Sequence, residues 1–213
     1  MDRSQIKIHN ADCMEAMKQM SDNEFDLAIV DPPYGIGNWI PDNVSKTGKK
    51  ASAPVEWNDD VPSDIYFKEL RRISNKQIIW GANYYNCFSN NGSAIVWHKG
   101  EINPNFSQCE IASLSWGKKV DYVNINWQAG FYRERVEGEQ IHPCQKPVKL
   151  YKWLLTNYAK EGDKILDTHL GSGSIAIACW DLKFDLTGYE IDKEYYDNAI
   201  ERIERHKRQL NLF

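Results

Sequence analysis

Apolar and polar positions along this 213-residue chain fall into short blocks that switch between strand and helix periods. Ile6-Lys7-Ile8 alternates as a half-buried strand does, and Met14, Met17 and Met20 then recur at helical intervals across 12–20. Phe25 to Val30 reads as a buried parallel strand, stopped after Asp31 by two prolines that neither join a ladder nor continue a helix. Beyond it, 67–73 reads as helix and 77–80, 94–98 and 111–116 as strands. Pro147 to Tyr158 is an amphipathic helix with its proline in the first turn. Lys164 to Leu166 and Leu186 to Glu190 are strands, separated by a glycine loop that becomes helical over 171–179, and Tyr195 to Gln209 forms a closing helix. Residues 35–65 are rich in Gly, Pro, Asn, Asp, Ser and Lys and predict a long loop, whereas 117–145 is polar and aromatic with no clear period. Strands alternating with helices predict an α/β fold with a mostly parallel sheet covered on both faces, its ligands at the carboxyl ends of the strands.

Composition narrows this picture. The length fits one core, so 1–213 is expected to be a single domain. With 42% hydrophobic and 26% charged residues and apolar runs no longer than stretches such as Leu27 to Val30, no membrane span is predicted. Met1-Asp2-Arg3-Ser4 leads into a strand without the apolar stretch of a secretory signal, and the five cysteines are scattered without a C-x-x-C pair. Both features predict an intracellular, cytoplasmic protein with reduced thiols. A net charge of −4 excludes a uniformly basic nucleic-acid binder and leaves local patches. Those at Lys46, Lys49 and Lys50, at Lys118 and Lys119, and at Arg133 and Arg135 are explained as well by solvated surface. The basic tail from Arg202 to Arg208 interleaves with Glu201 and Glu204, which predicts a salt-laced helix.

Two motifs carry chemistry, and both fall at strand ends. Asp167-Thr168-His169-Leu170-Gly171-Ser172-Gly173-Ser174 follows one strand, and Glu190 ends the next. Glycines allow close backbone approach to a ligand, and an acid at the end of the following strand accepts ribose hydroxyls. No G-x-G-x-x-G fingerprint and no phosphate-binding lysine are present, so S-adenosylmethionine suits the loop better than a dinucleotide or ATP; a tight structural turn is the plain alternative. The second motif, Asp31-Pro32-Pro33-Tyr34, follows a wholly apolar strand end. An exocyclic amine on a nucleobase is a poor nucleophile because its lone pair is delocalised into the ring. A carboxylate at Asp31 and the Pro32 carbonyl, accepting its two hydrogens, would draw the nitrogen toward tetrahedral geometry and stabilise developing positive charge. Prolines 32 and 33 hold that carbonyl rigidly and offer no competing donor, and Tyr34 supplies a stacking face for a base flipped out of its duplex.

These residues resemble the amino-group DNA methyltransferases, in particular the β class of adenine-N6 enzymes, in which the catalytic tetrapeptide precedes the cofactor loop. Asn10-Ala11-Asp12-Cys13, Ile78-Ile79-Trp80-Gly81-Ala82-Asn83-Tyr84 and His142-Pro143-Cys144-Gln145-Lys146-Pro147 extend the resemblance over nearly the whole chain. The resemblance implies a Rossmann-like S-adenosylmethionine-dependent methyltransferase fold. Its seven-stranded, mostly parallel sheet would be circularly permuted, with the N-terminal strand docking beside the C-terminal one. It implies Asp31, Pro32, Pro33 and Tyr34 as the catalytic set. It assigns contact with S-adenosylmethionine to Asp12, Cys13, Asp31, His142, Lys146, Asp167, His169, Leu170, Gly171, Ser172, Gly173, Ser174, Glu190 and Ile191. For His142 and Lys146, ordinary roles at the start of a helix stay open. One departure stands out: His169 falls where the family carries the Phe of Asp-Pro-Phe. Double-stranded DNA is the implied substrate, a homodimer is common in the class, and no metal is implied. Residues 36–65 and 84–140 are the candidate DNA-recognition loops, with Trp39, Trp57, Trp127 and Arg133 as candidates that core or surface packing explains equally. The competing readings are methylation of cytosine N4, of RNA adenine or of a glutamine amide, and a catalytically silent nucleic-acid-binding subunit. By resemblance, Ser at position 31 goes with cytosine N4 and Asn with glutamine, so Asp31 favours adenine.

Overall fold

A computed structural model describes residues 4–36, 60–85, 87, 92–100, 107–127 and 140–210. Eight strands form one sheet: β1 (Ile6–Asn10), β2 (Phe25–Val30), β3 (Ser74–Trp80), β4 (Ala94–His98), β5 (Cys109–Leu114), β6 (Val120–Asn124), β7 (Lys164–Asp167) and β8 (Asp185–Glu190). Their spatial order is β1-β8-β7-β2-β3-β5-β4-β6. All neighbours are parallel except β5, which runs antiparallel to both β3 and β4. β1 lies beside β8 in the register Ile6 to Leu186 through Asn10 to Glu190, the permuted docking that the family resemblance implied.

The helices are α1 (Cys13–Met17), α2 (Asp64–Ile73), α3 (Val148–Tyr158), α4 (Ser174–Leu182) and α5 (Lys193–Leu210). The six residues of β2 explain how they are shared between the two faces. Leu27 and Ile29 enter a cluster that includes Leu150 and Leu154 of α3, Ile175 of α4 and Ile203 of α5. Ala28 and Val30 enter another with Met17 of α1 and Tyr66, Phe67, Leu70 and Ile73 of α2. A strand covered on both faces needs apolar residues throughout, which is why this one lacks alternation.

β5 lies two residues earlier than expected, β3 and α2 each begin three residues earlier, and three further differences have a local physical reason. β6, the strand beyond the expected seven, arises in the stretch without period, where only Val123 of its five residues is buried; a one-sided edge strand leaves little hydrophobic pattern. The first helix stops at Met17 instead of reaching Met20, because Arg72 of α2 donates to the Met17 and Met20 carbonyls at 2.7 and 2.8 Å and satisfies the chain end there. Pro147 sits at the cap position just before α3. Among the described residues no helix is long and apolar enough to cross a membrane.

Candidate active site

The parallel strands β1, β8, β7, β2 and β3 deliver their carboxyl ends to one edge of the sheet. Asp31 leaves β2, Asp167 ends β7, Glu190 ends β8 and Asp12 follows β1 as the cap of α1, its side chain accepting from the Met14 N–H at 2.7 Å. The sequence separates these acids by up to 178 positions, and the parallel topology gathers them.

A cavity of about 240 Å³ opens beside two of them, Asp12 and Glu190, and neither Asp31 nor Asp167 lines it. Asp12, Cys13, His169, Glu190 and Ile191 line it, together with Pro33, Val61, Pro62, Tyr66 and Thr168. Glu190 is 8% exposed, and its carboxylate is fixed by the Gly171 N–H at 2.8 Å and the Asp192 N–H at 3.0 Å, one at each oxygen. Ile191 beside it is 64% exposed, an apolar surface at the cavity wall. His169 meets Tyr66 edge-on at 5.4 Å, and its Nδ1 lies 2.9 Å from the Thr168 hydroxyl, which in turn lies 2.7 Å from the Tyr66 hydroxyl. Burial pushes the imidazole down to about 4, so it is a neutral flat ring at neutral pH, the physical character of the aromatic it replaces. Burial also pushes the Cys13 thiol up to about 12, which leaves it an inert wall.

The remaining expected cofactor residues stand behind this wall. Asp167 is 1% exposed, accepts from the His169 N–H at 2.9 Å, and is pushed up to about 8 by burial. Leu170 points into the core, against Gly188. Gly171 and Gly173 both take positive φ, +52° and +72°. A Cβ on Gly171 would press on the His142 ring at 3.3 Å, and one on Gly173 would meet Ile203 of α5 at 3.0 Å. His142 stacks edge-on against Tyr195 at 4.5 Å and burial pushes it down to about 4. Ser172 and Ser174 face away from the cavity: buried Arg202 donates at 2.9 Å to the Ser172 carbonyl and to the Ser174 hydroxyl. Arg202 therefore departs from the salt-laced helix expected for this tail, where Lys193–Asp197 and Lys207–Glu204 do pair along the surface. Its basic neighbours hid a buried clamp on the glycine loop.

Pro33 joins the cavity to the second motif. The Tyr34 hydroxyl donates to Asp31 Oδ1 at 2.6 Å, and the Lys146 ammonium contacts Asp31 Oδ2 and donates to the Tyr34 hydroxyl at 3.2 Å. Lys146 also pairs with Glu110 Oε2 at 3.1 Å, and Lys99 pairs with Glu110 Oε1 at 3.1 Å. Lys146 is thus bound to the Asp31-to-Tyr34 motif and does not line the cavity. Burial raises the Asp31 carboxyl while Lys146 opposes that shift. Burial likewise acts against the Glu110 charge, but Lys146 and Lys99 together hold it below the usual carboxylate range. The buried Tyr85 hydroxyl donates to the carbonyls of Pro32 and Pro33 at 2.6 and 2.9 Å. The Tyr34 ring stacks on Tyr84 with centroids 4.8 Å apart and planes 15° apart, and a Cβ on Gly81, at φ +76°, would fall 2.3 Å from that ring. Glu110, Lys99, Tyr85 and Arg202 carry no motif of their own; strand pairing places Glu110 and Lys99, and the packing of α5 places Arg202.

Trp127 is buried and its indole N–H donates to the Gln145 carbonyl at 2.8 Å, which makes it a packing residue. Trp39, Trp57, Arg133, Arg135, Lys46, Lys49 and Lys50 lie outside the described residues. Within 84–140 the sheet strands β4, β5 and β6 take up 94–98, 109–114 and 120–124.

Comparison with known proteins agrees with this geometry. The N6/N4 methyltransferase family, described as DNA methylase, matches residues 83–201, more than half of the chain. The type II methyltransferase M.HpaI of Haemophilus parainfluenzae is 24% identical over 228 residues, covering 91% of this chain and 73% of that protein. The type II methyltransferase M.BglII of Bacillus subtilis is 24% identical over 259 residues, covering 97% and 71%. Among solved structures, the M1.HpyAVI–SAM complex matches with a TM-score of 0.60 at 19% identity, over 93% of this chain and all of that one. The cytosine-N4-specific PvuII DNA methyltransferase matches with a TM-score of 0.63 at 12% identity, over 98% and 92%. At such identities the structural likeness speaks to the fold.

Proposed function

Because the chain belongs to the N6/N4 DNA methylase family, we propose that it transfers a methyl group from S-adenosylmethionine to the exocyclic N6 of adenine in double-stranded DNA. The observation that carries this reading is the contiguity of two features: Pro33 is at once part of the Asp31-to-Tyr34 tetrapeptide and part of the cavity wall that ends at Glu190. The cavity suits a nucleoside with an uncharged ribose. Its walls are largely apolar, and Glu190, held by a backbone N–H at each oxygen, keeps lone pairs for two hydroxyls. Ile191 offers an apolar contact and the neutral His169 a flat one for a purine, with Asp12 also lining the cavity. S-adenosylmethionine supplies an electrophilic methyl group on a sulfonium.

The base must leave its duplex to reach Asp31, at a cost of a few kcal/mol in lost pairing and stacking. Stacking on Tyr34 recovers about 1–3 kcal/mol, and this requires Tyr84 to turn away from the ring it now covers. Asp31 and the Pro32 carbonyl then accept the two amine hydrogens. Each acceptor already serves an internal donor: Tyr34 and Lys146 at Asp31, Tyr85 at Pro32. The Pro32 carbonyl has a second lone pair and can take one bond more, whereas both Asp31 oxygens are already engaged by donors. The proton shed by the alkylated nitrogen has Asp31 as its nearest acceptor. Asp at position 31, in place of Ser, supports adenine over cytosine. The relatives named type II methyltransferases support a modification role beside a restriction enzyme. Incubation with mixed-sequence DNA, single-molecule sequencing and nucleoside mass spectrometry tests the reading: N6-methyladenine at a defined site is expected, and N4-methylcytosine or no methylated base would overturn it.

A further inference from the structure

The charges behind Asp31 form a chain from four separate parts of the fold. Lys146, in the loop before α3, touches Asp31 Oδ2 on one side and Glu110 Oε2 of β5 at 3.1 Å on the other; Lys99, just after β4, holds Glu110 Oε1 at 3.1 Å. The Lys146 side chain is 4% exposed, Asp31 12% and Glu110 23%, so water cannot readily stand in for a missing partner. Two carboxylates thus face two ammonium groups, with no net charge. An amine that donates to Asp31 Oδ2 competes with Lys146 for that oxygen. A buried ammonium yields it only if a second anion is already in place, because an unpaired buried charge is strongly disfavoured.

We infer that Glu110 is a positioning residue that takes over Lys146 as the target amine arrives, leaving Asp31 Oδ2 to accept the amine hydrogen. The inference rests on the reading of Asp31 as the amine acceptor. Lys99 keeps Glu110 in place, so that the ammonium moves and the carboxylate does not. No bond is made or broken in this exchange, and the buried charge stays balanced throughout.

The pH dependence of turnover reports the exchange, since Asp31 must be ionised to accept the amine. Around Asp31, burial keeps the phenols of Tyr34, Tyr66, Tyr85 and Tyr151 protonated, raises the Cys144 thiol to about 12 and raises Asp167 to about 8. Below neutral pH these groups are uncharged, and only Glu110, Lys146 and Lys99 act on Asp31 through charge. Glu110→Gln keeps the shape of the side chain and removes the receiving charge. With saturating S-adenosylmethionine and plasmid DNA carrying the mapped site, kcat is expected to fall about tenfold or more, the scale of one lost charge-assisted contact. KM for S-adenosylmethionine is expected to hold. The acid limb of the kcat profile should move to lower pH, because Asp31 loses a repelling neighbour and keeps Lys146 to itself. Lys99→Met should move the limb the opposite way, since Glu110 then draws Lys146 more strongly. Damage to packing alone lowers the profile without moving its limb in opposite directions. An unmoved limb in both variants, or a kcat for Glu110→Gln within about twofold of the wild type, would overturn the inference. Absence of DNA methylation by the wild type would instead overturn the proposed function, and this inference with it.

Discussion

Replacing Lys146 by methionine isolates the energy stored in the buried charges beside the tetrapeptide. Methionine approximates the lysine stem and removes the ammonium, leaving Asp31 with the Tyr34 hydroxyl and Glu110 with Lys99. Lys146 and Asp31 are 4% and 12% exposed, so the abandoned carboxylate is poorly solvated. Removing one partner of a buried pair costs about 3–5 kcal/mol, against a typical total of about 5–15 kcal/mol; the variant is expected to fold with much of its margin gone. The loss depends on pH. The Asp31 carboxyl is already raised by burial, and without Lys146 it rises further. A group whose folded pKa lies above its unfolded value binds more protons when folded. Its contribution to stability is full at low pH and is lost as pH rises through the folded pKa. The deficit relative to wild type therefore grows from acid to alkaline conditions. Asp167, which Lys146 also draws down, rises in the variant as well and adds to the difference in the same direction. Urea denaturation followed by tryptophan fluorescence at about pH 5.5 and about pH 8.5 measures it. A deficit below about 1 kcal/mol at both, the value of an exposed pair, or one that does not grow with pH, refutes the reasoning.

Other expectations follow from single contacts. Asp167 is raised to about 8, so its own contribution to stability declines as pH rises from about 4 through about 8, while His142 and His169, held down to about 4, slope the other way below about 6.5; Asp167→Asn, which keeps an acceptor for the His169 N–H, should gain stability relative to the wild type as pH rises, read as the difference between the two proteins in the same denaturation series. Glu190→Gln should weaken S-adenosylmethionine binding by about tenfold in calorimetry through loss of a charged acceptor, and unchanged affinity would remove Glu190 from the ribose assignment. Tyr84→Ala uncovers Tyr34 and should lower KM for DNA several-fold, since an aromatic pair worth about 0.5–1.5 kcal/mol no longer has to be broken; a higher KM would show that Tyr84 itself contacts the DNA.

Local signals wrote much of this architecture into the sequence. The apolar run of β2 with its two prolines and the glycine loop with Glu190 on the next strand led to an α/β sheet, because strand period and turn chemistry act over a few residues; the family resemblance implied its permutation. What escaped depends on distant pairing. Glu110 reads as an unremarkable acid in Cys109-Glu110-Ile111, and only the antiparallel insertion of β5 between β3 and β4 brings it to Lys146. Arg202 sits among surface cations at helical spacing, and only packing of α5 against the glycine loop distinguishes it. Lys146 lay within a recognised motif, yet its partners are Asp31 and Glu110 and not the cavity, a pairing that only the folded chain brings about. The one-sided strand β6 left no period to read.

The central claim is that Asp31 prepares a nucleobase amine for methylation. Transfer of a labelled methyl group to DNA by the wild type and by Asp31→Ala, with circular dichroism to establish that both are folded, tests it most directly. The account predicts label in N6-methyladenine for the wild type and none above background for the folded variant. Methylation by Asp31→Ala at the wild-type rate would contradict it.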